Sequence, residues 1–175
     1  MTKRILGVDP GTTITGYAVI EQVSNDKVVL VSLGYIELNK LSSHYEKLKR
    51  IHERLTSIIE SFLPDELAVE APFFGENVQS MLKLGRAQGA AIVAAMLKGI
   101  PVFEYSPRKV KLAITGNGNA SKEQVATILQ KLFSIEKFRP NWMLRTDWQL
   151  RIVIFLPVVV FQKIIKKEQT IGKIL

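Results

Sequence analysis

Two carboxylates stand where apolar runs stop. Asp9 closes Ile5-Leu6-Gly7-Val8 and is followed at once by Pro10-Gly11, after which a second run, Ile14 to Val19, leaves the break. β-rich residues on either side of Pro-Gly read as strand, turn and strand, with Asp9 at the tip of the first strand. A carboxylate fixed there is an oxygen ligand for Mg²⁺, or a contact for the metal of a bound nucleotide. Asp before Pro-Gly also serves simply as a turn cap. Glu70 repeats the pattern, ending Leu67-Ala68-Val69 ahead of Ala71-Pro72. If the two strands are neighbours the carboxylates meet, at the strand ends where open α/β sheets place ligands, and a divalent cation needs such a pair. If they are not, Glu70 is a surface carboxylate on an edge strand.

Aromatic and basic residues follow each of the later strands. Phe73 and Phe74 come directly after Pro72, and two adjacent aromatics in a loop do not easily both point inward, which leaves one to stack on an unpaired base. Lys111 lies in the run Ser106-Pro107-Arg108-Lys109-Val110-Lys111, and Lys122 follows the loop Gly116-Asn117-Gly118-Asn119-Ala120-Ser121. That loop lacks the G-x-x-x-x-G-K spacing of a P-loop. Its Gly-Asn backbone between two lysines suits a phosphate backbone, and a plain solvated loop fits it equally well.

The elements needed to position these groups are readable. Strands over about Thr15–Gln22 and Val28–Leu38, turned by Ser24-Asn25-Asp26, continue the first strand into an antiparallel meander. Ser43 with Glu46 three residues on is a capping box. Leu48, Ile51, Leu55, Ile58, Ile59 and Phe62 then recur at helical spacing, with His52 on or beside the polar side and Pro64-Asp65 as the stop. After the Glu70 strand a long helix is expected from Glu76 or Asn77 to about Lys98, with Val78, Met81, Leu82, Leu84, Ala91, Val93 and Ala94 supplying apolar surface. Gly85 and Gly89, one turn apart, allow close approach of another element, with the helix's own sheet as the expected partner and a dimer seam as the alternative. Pro101 to Tyr105 gives a fifth strand, and Ser121 with Gln124 caps a further helix. The pattern is a mixed α/β sheet, three antiparallel strands and then two strand–helix units, flanked by helices.

With 175 residues the chain suits one domain with a proper core. Cysteine is absent, which excludes disulfides and thiolate metal sites, and two histidines, both in one expected helix, argue against a histidine-rich zinc centre. The start is charged and its apolar run is broken by Asp9, so no signal peptide and a cytoplasmic protein are expected. A net charge of +8 invites a polyanionic partner, but it is unevenly spread. Before residue 139 there are 17 Lys and Arg against 14 Asp and Glu, and from there on 7 against 2.

Four blocks in order resemble the RuvC family of Holliday-junction resolvases: V-D-P-G-T-T-x-T-G-Y at 8–17, A-V-E-A-P-F-F at 68–74, Leu82 to Gly89, and Val102 to Tyr105 with Lys111 and Lys122. The resemblance spans roughly residues 3–133. It implies a ribonuclease-H-like fold, a homodimer, RuvA and RuvB as branch-migration partners, no membrane association, and Mg²⁺-dependent nicking of two opposed strands at a four-way DNA junction. In that family's terms Asp9 and Glu70 match metal-binding carboxylates and Phe73 the aromatic that inserts at the junction. Lys111 and Lys122 match basic residues near the scissile phosphate, with Lys122 able to stabilise transition-state charge. Two ions about 4 Å apart would activate water and steady the leaving oxygen.

The likeness fails after about Phe138. The family ends in a helix with D-A-x-D-[AG]-L-A and a nearby histidine, which supplies a further metal-binding aspartate, whereas this chain reads Arg139-Pro140-Asn141-Trp142-Met143-Leu144-Arg145-Thr146-Asp147-Trp148-Gln149. Trp and Met have one codon each, so Trp142-Met143 is TGG ATG, and the shifted frame across their boundary gives GAT, aspartate. The same shift gives leucine across Asp147-Trp148 and alanine across Trp148-Gln149, whatever the synonymous codons. The stretch can thus be read L-D-A-T-D-G-L-A-I-A-Y-C-H, the missing motif, with a one-base slip between about Ser134 and Asn141. Residues 1–138 are then the nuclease domain and 139–175 an aberrant tail, whose apolar run, Ile152–Phe161, is interrupted by Pro157 and short of the ~20 residues a membrane span needs. Two alternatives follow: a junction-binding protein with impaired catalysis, and a fragment of an actin-like ATPase, since D-x-G-T-T-x-T-G at 9–16 also resembles the phosphate loop of those proteins.

Overall fold

Alternation of apolar residues makes the first third of the chain a β-meander. In the computed structural model, which describes residues 2–24, 27–71 and 77–121 together with 124, 125, 127 and 128, β1 (Lys3–Asp9), β2 (Ile14–Gln22) and β3 (Val28–Glu37) pair antiparallel in sequence. A register shift between Val19 and Ile20 bends the β2–β3 ribbon. Chain reversal through α1 (His44–Phe62) then delivers β4 (Glu66–Glu70) parallel to β1. Reversal through α2 (Val78–Met96) delivers β5 (Val102–Tyr105) parallel to β4. The sheet order is β3-β2-β1-β4-β5, the mixed α/β arrangement expected from sequence.

One sheet face carries Leu6, Val8, Val19 and Leu67, all fully buried under α1 and α2. Burial of each such side chain contributes about 1.5–3 kcal/mol. The helices pack with Ile51, Leu55, Ile58 and Ile59 from α1 and Ala87, Ala91, Ala94 and Ala95 from α2. Ile5, Ile20 and Ala68 line the other face with Tyr105 and Ile114. The capping box at Ser43 and Glu46 is present, and Leu63 adopts the left-handed conformation (φ 48°) that turns the chain into Pro64.

Both core helices begin at the end of the sheet where β1 and β4 finish. Lys47, in the first turn of α1, donates to the carbonyl of Thr12 at 3.0 Å, while Arg4 at the start of β1 donates to Phe62 O at 3.1 Å. At the far end Lys98, just past the end of α2, forms an ion pair of 2.6 Å with Glu60 of α1.

One expectation needs correction. Gly85 and Gly89 do not serve packing of α2 on its own sheet: a Cβ built at either has no heavy atom within 4 Å. The sheet-facing side of α2 is the alanine row with Gln88, so the glycines fall on the opposite side, in line with Val78, Leu82 and Val93, which are exposed rather than core. The run after Ser106, to which the sequence reading gave no element, is helical: α3 (Pro107–Thr115). Ser106 caps it, Pro107 opens it, and Gly116 ends it in the left-handed conformation (φ 72°), which is the asymmetry of Pro at the start and Gly just past the end.

Candidate functional site

Asp9 is the last residue of β1 because the chain cannot continue the ladder through Pro10, which has no N–H. The turn beyond it is crowded. A Cβ on Gly11 would lie 2.0 Å from the carbonyl oxygen of Ile14, so no side chain fits at that position. The buried Thr15 hydroxyl closes the loop on itself, accepting from Gly11 N and donating to Gly11 O, each at 3.2 Å. Leu38 N donates to Thr13 O at 2.9 Å, and Lys47 Nζ holds Thr12 O. Asp9 itself is only 9% exposed.

Glu70 ends β4 one residue beyond the last paired position, Val8 opposite Val69, which sets Asp9 and Glu70 side by side at the C-terminal ends of adjacent parallel strands. Register neighbours share a face, and here it is the face of Gly7, Ala68 and Tyr105, the side covered by Ile114 of α3. Glu70 is half-buried. Its strand end is tied by Ala71 N donating to Tyr105 O at 2.9 Å and by Gln88 Nε2 donating to Glu70 O at 3.0 Å. The same Nε2 donates to Glu104 Oε1 at 3.0 Å. Sequence reasoning passed over Gln88; the signal was a single amide within an otherwise small apolar helix face.

Lys111 is half-buried on α3, the helix over the carboxylate face, and its carbonyl accepts from Thr115 Oγ1 at 2.9 Å. Phe73, Phe74 and Lys122 lie outside the described residues, as do positions 139–175. Ser121 and Gln124, on either side of Lys122, form the expected reciprocal cap. Among the described residues no group of three or more Asp, Glu, His or Cys side chains is gathered to hold a metal ion. Asp9 and Glu70 are a pair of hard oxygen donors, which fits Mg²⁺, an ion that keeps several waters and takes few carboxylates.

Positive charge collects on the other side of the turn. Burial and then the nearby Arg86, Lys83 and Lys47 lower the pKa of His44. Beneath the site, burial first and Glu66 second raise the pKa of Tyr105, so its hydroxyl stays protonated; Glu66 pairs with Lys3 at 2.7 Å.

A family model described as crossover junction endodeoxyribonuclease RuvC matches residues 5–142. The chain belongs to the RuvC family. The RuvC of Bacteroides fragilis is 61% identical over 135 residues, covering 77% of this chain and 71% of that protein. Among solved structures, Thermus thermophilus RuvC in complex with a Holliday junction substrate is 28% identical with a TM-score of 0.83, over 94% of this chain and 96% of that one. The yeast mitochondrial Holliday junction resolvase shares the fold at 13% identity, TM-score 0.71, over 98% and 83% of the two chains. The ribonuclease-H-like α/β fold expected from sequence is thus the fold of RuvC. Among the described residues no helix is long and apolar enough to cross a membrane.

Proposed function

We propose that this chain is a Holliday-junction resolvase that nicks two opposed strands of a four-way DNA junction with Mg²⁺, as a cytoplasmic homodimer working beside RuvA and RuvB. The observation that carries the reading is the register of β1 and β4, which brings Asp9 and Glu70 together on one face of the sheet. These two carboxylates would hold the cation, two ions at an intact site. Bound there, divalent cations activate water and steady the leaving oxygen of a phosphodiester.

The chain's own residues do the rest. Asp9, nearly buried at the end of β1, would hold the cation against an arriving phosphate. Lys111 on α3 and Lys122 are the candidates to neutralise phosphate charge, and Phe73, with Phe74 beside it, to stack on a base exposed at the branch point. Exposed Val78, Leu82, Val93 and Met96, in line with Gly85 and Gly89, give α2 an apolar outer stripe suited to a second copy of the chain.

Residues 139–175 favour a second reading, a junction binder with impaired catalysis. The family match stops at residue 142, the Bacteroides fragilis relative aligns over 135 residues, 71% of its own length, and with permitted synonymous codons the shifted frame can be read as an aspartate-bearing motif. We therefore assign residues 1–138 to the nuclease domain and 139–175 to text read out of frame. Sequencing codons 134–141 on both strands tests this, and an unbroken frame overturns it. Incubation with a synthetic four-way junction, with and without Mg²⁺, separates the two readings. Paired symmetric nicks that vanish in Asp9→Asn and Glu70→Gln support the working nuclease, and tight binding without nicks supports the impaired one. No preference for junctions over duplex DNA contradicts both.

A further inference from the structure

We infer that Gln88 is the positioning residue for Glu70, replacing a ladder hydrogen bond that the sequence of β1 cannot supply. In β4 the N–H groups of Leu67 and Ala71 donate to Pro101 O and Tyr105 O of the neighbouring β5 segment. Backbone groups of successive strand residues face opposite sides, so Glu70, adjacent to Ala71, turns its carbonyl toward β1. With Val8 opposite Val69, the donor due to that carbonyl in a parallel ladder is the N–H of residue 10. Residue 10 is proline.

Gln88 fills this gap from above the sheet. It is 7% exposed, in a helix face otherwise made of Ala87, Ala91, Ala94 and Ala95, and its Nε2 lies 3.0 Å from Glu70 O and 3.0 Å from Glu104 Oε1. Both partners are acceptors only, so the amide must present its NH₂ group to them, and both of its hydrogens are used. Glu104 on β5 therefore fixes the amide, and the amide fixes the main chain at Glu70. Two strands and one helix meet at this nitrogen. Pro10 is thereby compatible with the site: it stops β1 so that Asp9 ends the strand, while the bond it forgoes is made by a side chain 18 residues beyond Glu70.

This inference rests on the reading of Asp9 and Glu70 as the cation site, and its test separates the two. Mn²⁺ is titrated into the full-length chain and free ion followed by electron paramagnetic resonance, with thermal unfolding measured alongside. Asp9→Asn must weaken Mn²⁺ binding; if it does not, the cation-site reading itself fails. Given that control, Gln88→Met, which keeps the volume and removes both donors, is expected to raise the half-saturating Mn²⁺ concentration about tenfold, the lower end for partners that orient metal ligands. Junction affinity should stay at the parental value. Gln88→Asn, whose shortened amide falls short of Glu70 O, provides the same reading should the methionine variant not fold. Parental Mn²⁺ binding in a folded Gln88 variant, with Asp9→Asn impaired, overturns the inference.

Discussion

Asp9 and Glu70 end neighbouring strands, yet the two ends are held in different ways. Beyond Asp9 the chain turns within a few residues: Thr15 reaches back four positions to Gly11, and Leu38 and Lys47, from the end of β3 and the start of α1, hold Thr13 and Thr12. Glu70 is held from farther along the chain. Its carbonyl is tied by Gln88, from the helix that returns over the sheet, and the next amide by Tyr105 O. One carboxylate therefore stands before a turn closed on itself and braced by α1, and the other on a strand end tied from α2 and β5.

Substitutions can break this contrast, and the largest effect is expected at Gly11. Gly11→Ala forces a Cβ into the Ile14 carbonyl, so it should destabilise the fold by about 3 kcal/mol or more in thermal or denaturant unfolding. Gly85→Ala, with open space around it within the chain, should be neutral or stabilising by up to about 1 kcal/mol through helix propensity when unfolding is followed at dilutions that keep the chain monomeric. Equal losses at both glycines would show that the Asp9 turn is not especially constrained. Next is Thr15→Val, isosteric but without the hydroxyl, which leaves the Gly11 amide and carbonyl without that partner in a buried setting. A loss of about 1–3 kcal/mol is expected in urea unfolding. Lys47→Met removes one charge-assisted bond to Thr12 O at a partly exposed site, so about 0.5–1.5 kcal/mol is expected in the same assay.

The smallest effect sharpens the comparison through pH. The fold lowers the pKa of His44 below 6.5, first by burial and then by Arg86, Lys83 and Lys47, so the native state favours the neutral ring. Its contribution to stability is present above pH 6.5 and is lost as pH falls through the lowered value. The melting temperature should therefore fall slightly more steeply below pH 6.5 in the parent than in His44→Gln. Identical pH profiles would remove His44 from the electrostatics of the helix ends.

Much of this was legible in the sequence because it is local. Alternation gave β1 to β3, Ser43 with Glu46 gave the start of α1, and the apolar runs ending in Asp9 and Glu70 gave the carboxylate pair. What the sequence did not disclose depends on tertiary placement. Gly85 and Gly89 mark close approach without saying on which side of α2, and the structure turns them away from the sheet. The α3 helix was hidden because its nine residues carry three basic side chains and a short apolar period, although Ser106, Pro107 and Gly116 mark both of its ends. Gln88 looked like an ordinary helix residue, since nothing in its neighbourhood along the chain tells of a carbonyl on β4.

The convergence of Asp9 and Glu70 on one cation is tested most directly by a double-substitution cycle on Mn²⁺ binding with the parent, Asp9→Asn, Glu70→Gln and the double variant. If both side chains grip the same ion, either single change removes most of the binding and the second adds little to the first. Binding that survives each single substitution, or losses that simply add, would mean that the two strand ends do not form one site.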